Sequence, residues 1–254
     1  MNLALSNFAF DNFELLKIHK ILKDNNIYQR ETVLTKIDDW DKLDDSKILI
    51  YNSQLAGYGL APYSIQSLFY NVNCKDITDT DIIIEHFERL IKYAEILGSK
   101  ILVFGSPGLR KKNEGWQESL IKVFKYVDNL LENSDIKIVI EPNAKYYGGE
   151  FFNNIYEIVE FIQSNNLNSI KTMIDTHNSL LEKGNRMKEL RENFNYIEHI
   201  HISEPGLGII NDDEFHLLFS RELKLLGYNK TVTYEVNKWD KVIESLKTFA
   251  EIYF

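Results

Sequence analysis

The chain has 254 residues, 44% of them hydrophobic and 13% aromatic, with Lys+Arg 29 against Asp+Glu 38 and a formal net charge of -9. With 12 Gly and 4 Pro it is neither a disordered nor a collagen-like polymer, and the acidic balance argues against a general nucleic-acid binder. The single cysteine, Cys74, excludes an internal disulfide and a Cys-based zinc site, so a reducing, cytoplasmic setting is the simpler expectation; MNLALSNFAFDNFELLKIHK makes a poor signal peptide, and no run of about 18 apolar residues is present to span a membrane.

Short apolar runs alternate with amphipathic segments. Asn2 to Leu5 reads as a strand. A helix follows from Asp11 to Asn25, in which Phe13, Leu16, Ile18 and Ile21 recur roughly at helical spacing. Glu31 to Ile37 is a weaker strand candidate, and Lys47 to Ser53 (KILIYNS) a clear one. The stretch from Gln54 to Asn73 carries Gly57, Gly59, Pro62 and several aromatics, and reads as an elaborated loop with one short helix. Thr80 to Leu97 is a helix closed by Gly98. From there the alternation is regular. Strands are expected at Lys100–Phe104, Ile136–Ile140, Lys171–Ile174, Ile197–Ile202 and Thr231–Val236. Helices are expected at Glu114–Glu132, Glu150–Ser164, Leu180–Phe194, Asp212–Leu226 and Trp239–Tyr253.

Eight strand–helix units, about 32 residues each, imply a parallel sheet covered by helices, and the allotment suits a closed barrel. We therefore expect the α/β class and a single (β/α)8 TIM barrel domain over residues 1–254. The rival is an open doubly wound sheet. It would carry a Gly-rich turn after its first strand, where this chain has Ser6-Asn7-Phe8-Ala9.

Four of the expected strands end in a residue able to bind metal: Glu141 after IKIVI, Asp175 after KTMI, His201 in EHIHIS and Glu235 in TVTYEV. Parallel strands bring matching ends together, so these four would converge at the C-terminal mouth, where barrel enzymes keep their chemistry. Three carboxylates and one imidazole suit one divalent ion, with Mn2+, Mg2+, Co2+ and Zn2+ all compatible. Taken singly, each is equally readable as a helix cap or turn former. Their occurrence in successive units favours a shared site. Gln66 in SIQSLF and Asn143 in EPNAK are polar candidates at the same mouth. GSPGLRKK, with Ser106, Arg110, Lys111 and Lys112, offers a loop for a phosphate or carboxylate, or simply a solvated basic loop. His199 is in phase with His201 and faces inward, either behind a ligand or as an ordinary buried histidine. His19, His86 and His216 fall in helical segments as surface or packing residues. Tyr58, Tyr63, Phe69, Tyr70 and Trp116 are candidates for an apolar wall over a ligand, with packing as the plainer alternative, and Trp40 is expected to pack near the end of the second strand.

At these residues the sequence resembles the xylose isomerase-like TIM barrels, most closely the tagatose 3-epimerase-like branch. The matching pieces are VFGSPGLRKK, VIEPNAKYYGGEFFNN, MIDTHNS, HIHISEPGLG and YEVN. The resemblance implies a metal held by Glu141, Asp175, His201 and Glu235, and assigns proton removal and return to Glu141 and Glu235. It places Glu204, in the His-x-x-Glu segment, beside the substrate. Two features depart from the epimerase pattern: Pro205-Gly206-Leu207-Gly208 stands where an Arg-containing loop is usual, and Asn178 stands where a His is usual, with His177 one residue earlier. Gln66, Arg110, Asn143, His177, Asn178 and Glu204 are the expected substrate contacts.

The implied function is a metal-dependent isomerase or epimerase of a sugar, sugar phosphate or related polyol ketone. A lyase on the same scaffold, dehydrating an inosose or cyclic keto-acid, stays open, as does a non-catalytic sugar-binding barrel. A three-metal apurinic endonuclease is disfavoured by the charge and by the lack of histidines near the third and fourth strand ends. No nucleic-acid or membrane partner is expected. Barrels of this kind often form homodimers, but no interface is legible.

Overall fold

The computed structural model describes residues 1–9 and 15–254. Eight parallel strands close into a barrel in chain order: β1 (Asn2–Ser6), β2 (Gln29–Val33), β3 (Ala61–Gln66), β4 (Ile101–Phe104), β5 (Lys137–Ile140), β6 (Ile170–Asp175), β7 (Ile197–Ile202) and β8 (Thr231–Tyr234). Closure runs through β1 and β8, where Leu3 pairs with Val232 and Ala4 with Thr233. Among the described residues nine helices surround it: α1 (Leu15–Asp24), α2 (Asp45–Gly57), α3 (Thr80–Leu97), α4 (Trp116–Leu130), α5 (Ile155–Ser164), α6 (Thr176–Leu181), α7 (Arg186–Asn193), α8 (Asp213–Leu225) and α9 (Trp239–Tyr253). The (β/α)8 barrel expected from the alternation is the fold.

Three elements differ from the sequence reading. The run KILIYNS is not a strand but the first half of α2. Asp44 caps that helix by accepting from Lys47 N–H, and Ile48, Tyr51 and Leu55 form its buried stripe. The third strand lies instead within the supposed loop, at Ala61–Gln66. Leu180–Phe194 is two helices, α6 and α7. They are broken at Lys183, whose φ is 57°, and Gly184, whose N–H donates to Ser179 O. The helix expected over Asp11–Asn25 is present from Leu15; its start and Phe13 lie outside the described residues.

Strand side chains alternate between two compartments. Leu102, Phe104, Ile138, Ile140, Ile174, Ile200 and Ile202 face outward into the main core beneath the helices. Ile101, Val103, Val139 and Met173 fill part of the lumen as a separate apolar cluster, with Tyr63 against it. Further along the strands the lumen becomes polar. Glu31, Ser64, His199 and Thr233 are all fully buried there, and beyond them stand His201, Asp175 and Glu235. This apolar floor under a polar mouth leaves the chemistry at the C-terminal ends of the strands.

Candidate metal and active site

The inward parity of β5, β6, β7 and β8 continues one step past each apolar run and ends on Glu141, Asp175, His201 and Glu235. Asp175 is the register partner of His201, and His201 that of Thr233. The backbone N–H of Glu141 donates to Phe104 O, and that of Glu235 to Ile202 O, so each carboxylate leaves its strand from a paired position. Nδ1 of His201 lies 3.8 Å from Glu141 Oε1, 3.9 Å from Asp175 Oδ2 and 3.6 Å from Glu235 Oε2. Glu141, Asp175 and His201 offer ligand atoms all within 4.8 Å of one another, and Glu235 approaches the same nitrogen.

The donor set fits a divalent cation. Atoms that share an ion at about 2.0–2.3 Å stand roughly 3–4 Å from one another, and the three carboxylate oxygens lie 3.6–3.9 Å from His201 Nδ1. Both ring nitrogens of His201 are buried and, among the described residues, neither makes a hydrogen bond; Nδ1 is the one that faces the three carboxylates. The carboxyls also show the strain of like charges. Burial, then the nearby Asp175, pushes the Glu141 carboxyl up, with His201 opposing. Burial pushes Glu235 up to about 8, with Glu141 and Asp175 adding to it against the pull of His201. A cation among them would relieve that repulsion.

Supporting bonds fix the carboxylates. Asp175 accepts from Asn178 N–H at 2.6 Å through Oδ1 and from Ser203 Oγ at 2.8 Å through Oδ2. It therefore caps α6 and is also bound to the end of β7. Asn178 holds Glu141 from the side, with Nδ2 3.4 Å from Oε1, while its Oδ1 accepts from Ala144 N–H. Gly105 packs directly against Glu141, since a Cβ there would overlap Oε2 of the carboxylate.

The other expected contacts separate into two groups. Gln66, Asn143, His177 and Asn178 are buried at the mouth. Gln66 donates to Ser6 Oγ. Asn143 Oδ1 and His177 Nδ1 are buried without a hydrogen-bond partner. Arg110 and Glu204 are placed otherwise. The Arg110 guanidinium is fully buried between the Phe104 and Phe152 rings and donates to the carbonyls of Phe104, Glu141 and Phe152. The substrate contact expected of it is replaced by a bond to the backbone of Glu141. Glu204 pairs with Nε2 of the buried His216 on α8 at 2.9 Å, and Nδ1 of His216 meets the Tyr253 hydroxyl. Its carboxylate therefore joins the β7 end to the outer helices. Lys111 donates to Gly148 O, and Lys112 lies over the Trp116 ring, which itself stacks on Phe151. The loops after β3 and β4 turn sharply, with left-handed φ at Ser67 and Ser106. They border an open cleft of about 500 Å3 lined by Phe69, Tyr70, Lys75 and Leu109 among others. Trp40 donates to Tyr70 O behind it, and its ring meets that of the buried His86 edge-on.

Sequence reasoning missed Glu31. This β2 carboxylate is fully buried in the lumen, 2.9 Å from His201 Nε2 through Oε1. Its Oε2 lies 3.1 Å from His199 Nε2 and accepts from Ser64 Oγ. Burial alone would raise its pKa, but the two imidazoles outweigh that and hold it well below the usual carboxylate range. The only available signal was the inward parity of Glu31 on a strand candidate too polar to be weighted strongly.

A family model described as xylose isomerase-like TIM barrel matches residues 30–252. No curated protein matches the chain significantly. Among solved structures, a 3-keto-D-glucoside 4-epimerase from E. coli aligns with TM-score 0.78 at 17% identity, over 99% of this chain and 98% of that one. An AP endonuclease, family 2, from Brucella melitensis aligns with TM-score 0.77 at 18% identity over 99% of both chains. A D-psicose 3-epimerase from Clostridium cellulolyticum H10, solved with D-tagatose, aligns with TM-score 0.76 at 15% identity, over 100% of this chain and 90% of that one. At these identities the likeness establishes the fold.

Proposed function

The chain belongs to the xylose isomerase-like TIM barrel family, and on that premise we propose that it is a divalent-metal-dependent isomerase or epimerase of a sugar, sugar phosphate or related polyol ketone. The observation that supports this most is the convergence of three carboxylates on one buried, unpartnered imidazole nitrogen at the barrel mouth. Glu141, Asp175, Glu235 and His201 through Nδ1 would hold the ion. A bound divalent ion would polarise a ketose carbonyl and offset the negative charge that develops when the adjacent carbon loses its proton.

Moving that proton requires a base and an acid. Glu141 and Glu235 would fill both roles, since they stand at the ends of different strands, β5 and β8, on either side of the His201 nitrogen they both approach. Epimerisation needs removal at one face of the carbon and return at the other, which two carboxyls from separate strands provide. Asn178 keeps Glu141 in place, and Ser203 does the same for Asp175. Asn143 and His177, each with a buried polar atom lacking a partner, are suited to substrate hydroxyls.

The test is hydrogen exchange. Metal-loaded protein is incubated in D2O with a panel of ketoses, sugar phosphates and inososes, and C–H signals are followed by NMR, with Glu235→Gln as control. Exchange that requires both metal and Glu235 is expected, and the labelled carbon names the reaction. Loss of water from the product would instead identify a dehydratase. Absence of metal binding would overturn the quartet.

A further inference from the structure

We infer that Glu31 is the positioning residue of the metal centre, setting the orientation and tautomer of His201 from behind. This rests on the metal reading of the quartet above. An imidazole can present only one nitrogen to an ion, and the proton it retains sits on the other. In His201 the nitrogen facing Glu141, Asp175 and Glu235 is Nδ1, so the proton belongs on Nε2, and Oε1 of Glu31 lies 2.9 Å from it as an ion-pair contact, off the line of a straight hydrogen bond. A carboxylate behind a ligating imidazole fixes the ring and raises the basicity of the ligating nitrogen.

Glu31 is itself held. Ser64 Oγ donates to its Oε2 at 2.8 Å, and Nε2 of His199 lies 3.1 Å from the same oxygen and 3.2 Å from Thr233 Oγ1. The ring of His199 meets that of His201 nearly edge-on, with centroids 5.0 Å apart, which restricts rotation of the ligand. The contact is not a by-product of sheet pairing, because Glu31 is on β2, His201 is on β7, and β1 and β8 stand between them. A carboxylate fully buried in the lumen is costly unless it is paired, and its side-chain partners among the described residues are Ser64, His199 and His201 on β3 and β7.

The experiment uses full-length protein freed of metal and titrated with Mn2+ by calorimetry, with the visible spectrum of the Co2+-loaded form as a second readout. Glu31→Ala is expected to weaken Mn2+ binding about 10–100-fold and to shift the Co2+ bands. Glu31→Gln keeps the shape and one acceptor, so it should recover part of the affinity. It also carries the test if the alanine variant does not fold. A structural role alone would lower the melting temperature of the metal-free protein and leave affinity and spectrum unchanged, which would overturn the inference while leaving the quartet intact. Two ions per wild-type chain, one lost in Glu31→Ala, would overturn it too, by making Glu31, His199 and His201 a ligand set of their own. Failure of the wild type to bind either ion would remove the quartet and this inference together.

Discussion

A methyl group at Gly105 would fall on Oε2 of Glu141, the far end of a flexible side chain rather than backbone. Gly105→Ala is therefore expected to leave the fold intact and to swing the carboxylate off the site. Melting of the metal-free protein should stay within a few degrees of wild type, while Mn2+ affinity falls by at least about tenfold, in the range seen when groups supporting a ligand are disturbed. Equal affinity in the two proteins would mean that Glu141 does not hold the ion in its present rotamer. Single residues also show where the sequence was readable. Glu141 and Asp175 follow short apolar runs, and His201 and Glu235 lie near the ends of EHIHIS and TVTYEV, each about one strand–helix unit from the next, so spacing along the chain brought them together. Glu31 has no such run before it, and its partner His201 is 170 positions away in the chain. Arg110 looked like part of a basic loop because Lys111 and Lys112 follow it. Its burial depends on Phe152, contributed by the loop after β5, and only the fold brings that ring to it.

At the scale of elements, KILIYNS shows why the early units were misread. Its apolar residues are consecutive, and a short consecutive run does not distinguish a buried strand from a helix segment. In a strand Ile48 and Ile50 would share a face. In α2 Ile48 is fully buried with Tyr51 and Leu55, whereas Leu49 is 53% and Ile50 58% exposed. Ile50→Lys should accordingly change stability by no more than about 0.5 kcal/mol, and Ile48→Ala should cost about 2–5 kcal/mol. Comparable losses at both positions in denaturant unfolding would contradict the helix. The true third strand, APYSIQ, was hidden because its interior carries Pro62 and the lumen-facing Ser64, which read as loop composition. Later units were legible because β4 to β8 are dense in β-branched residues and the helices between them are long and amphipathic.

At the scale of the whole molecule, the lumen concentrates charge that the fold must accommodate, and this makes stability depend on pH and metal together. Burial and neighbouring carboxylates raise Glu235 to about 8 and lift Glu141. Burial would lower His201, but Glu31, Glu235 and Glu141 outweigh it and hold it well above its ordinary value. A group whose folded-state pKa is raised stabilises the fold below its unfolded value, and that stability is lost as pH rises through the folded value. For Glu235 the window runs from the ordinary 4.5 to about 8. Glu31, held low, contributes in the opposite sense, losing stability only as pH falls below the ordinary carboxylate range. His199 and His86, lowered by burial, also oppose the trend, but only below their ordinary 6.5, so the net fall is read above that pH. Metal binding follows the reverse course, because protons leave the ligands as pH rises. The metal-free protein should therefore melt at progressively lower temperature from about pH 6.5 to about pH 8.5, and the stabilisation on adding Mn2+ should widen over the same range. Glu235→Gln, neutral throughout, should flatten the metal-free slope. A gap between metal-free and metal-loaded melting temperatures that stays constant or narrows with rising pH would show that the quartet does not exchange protons for an ion.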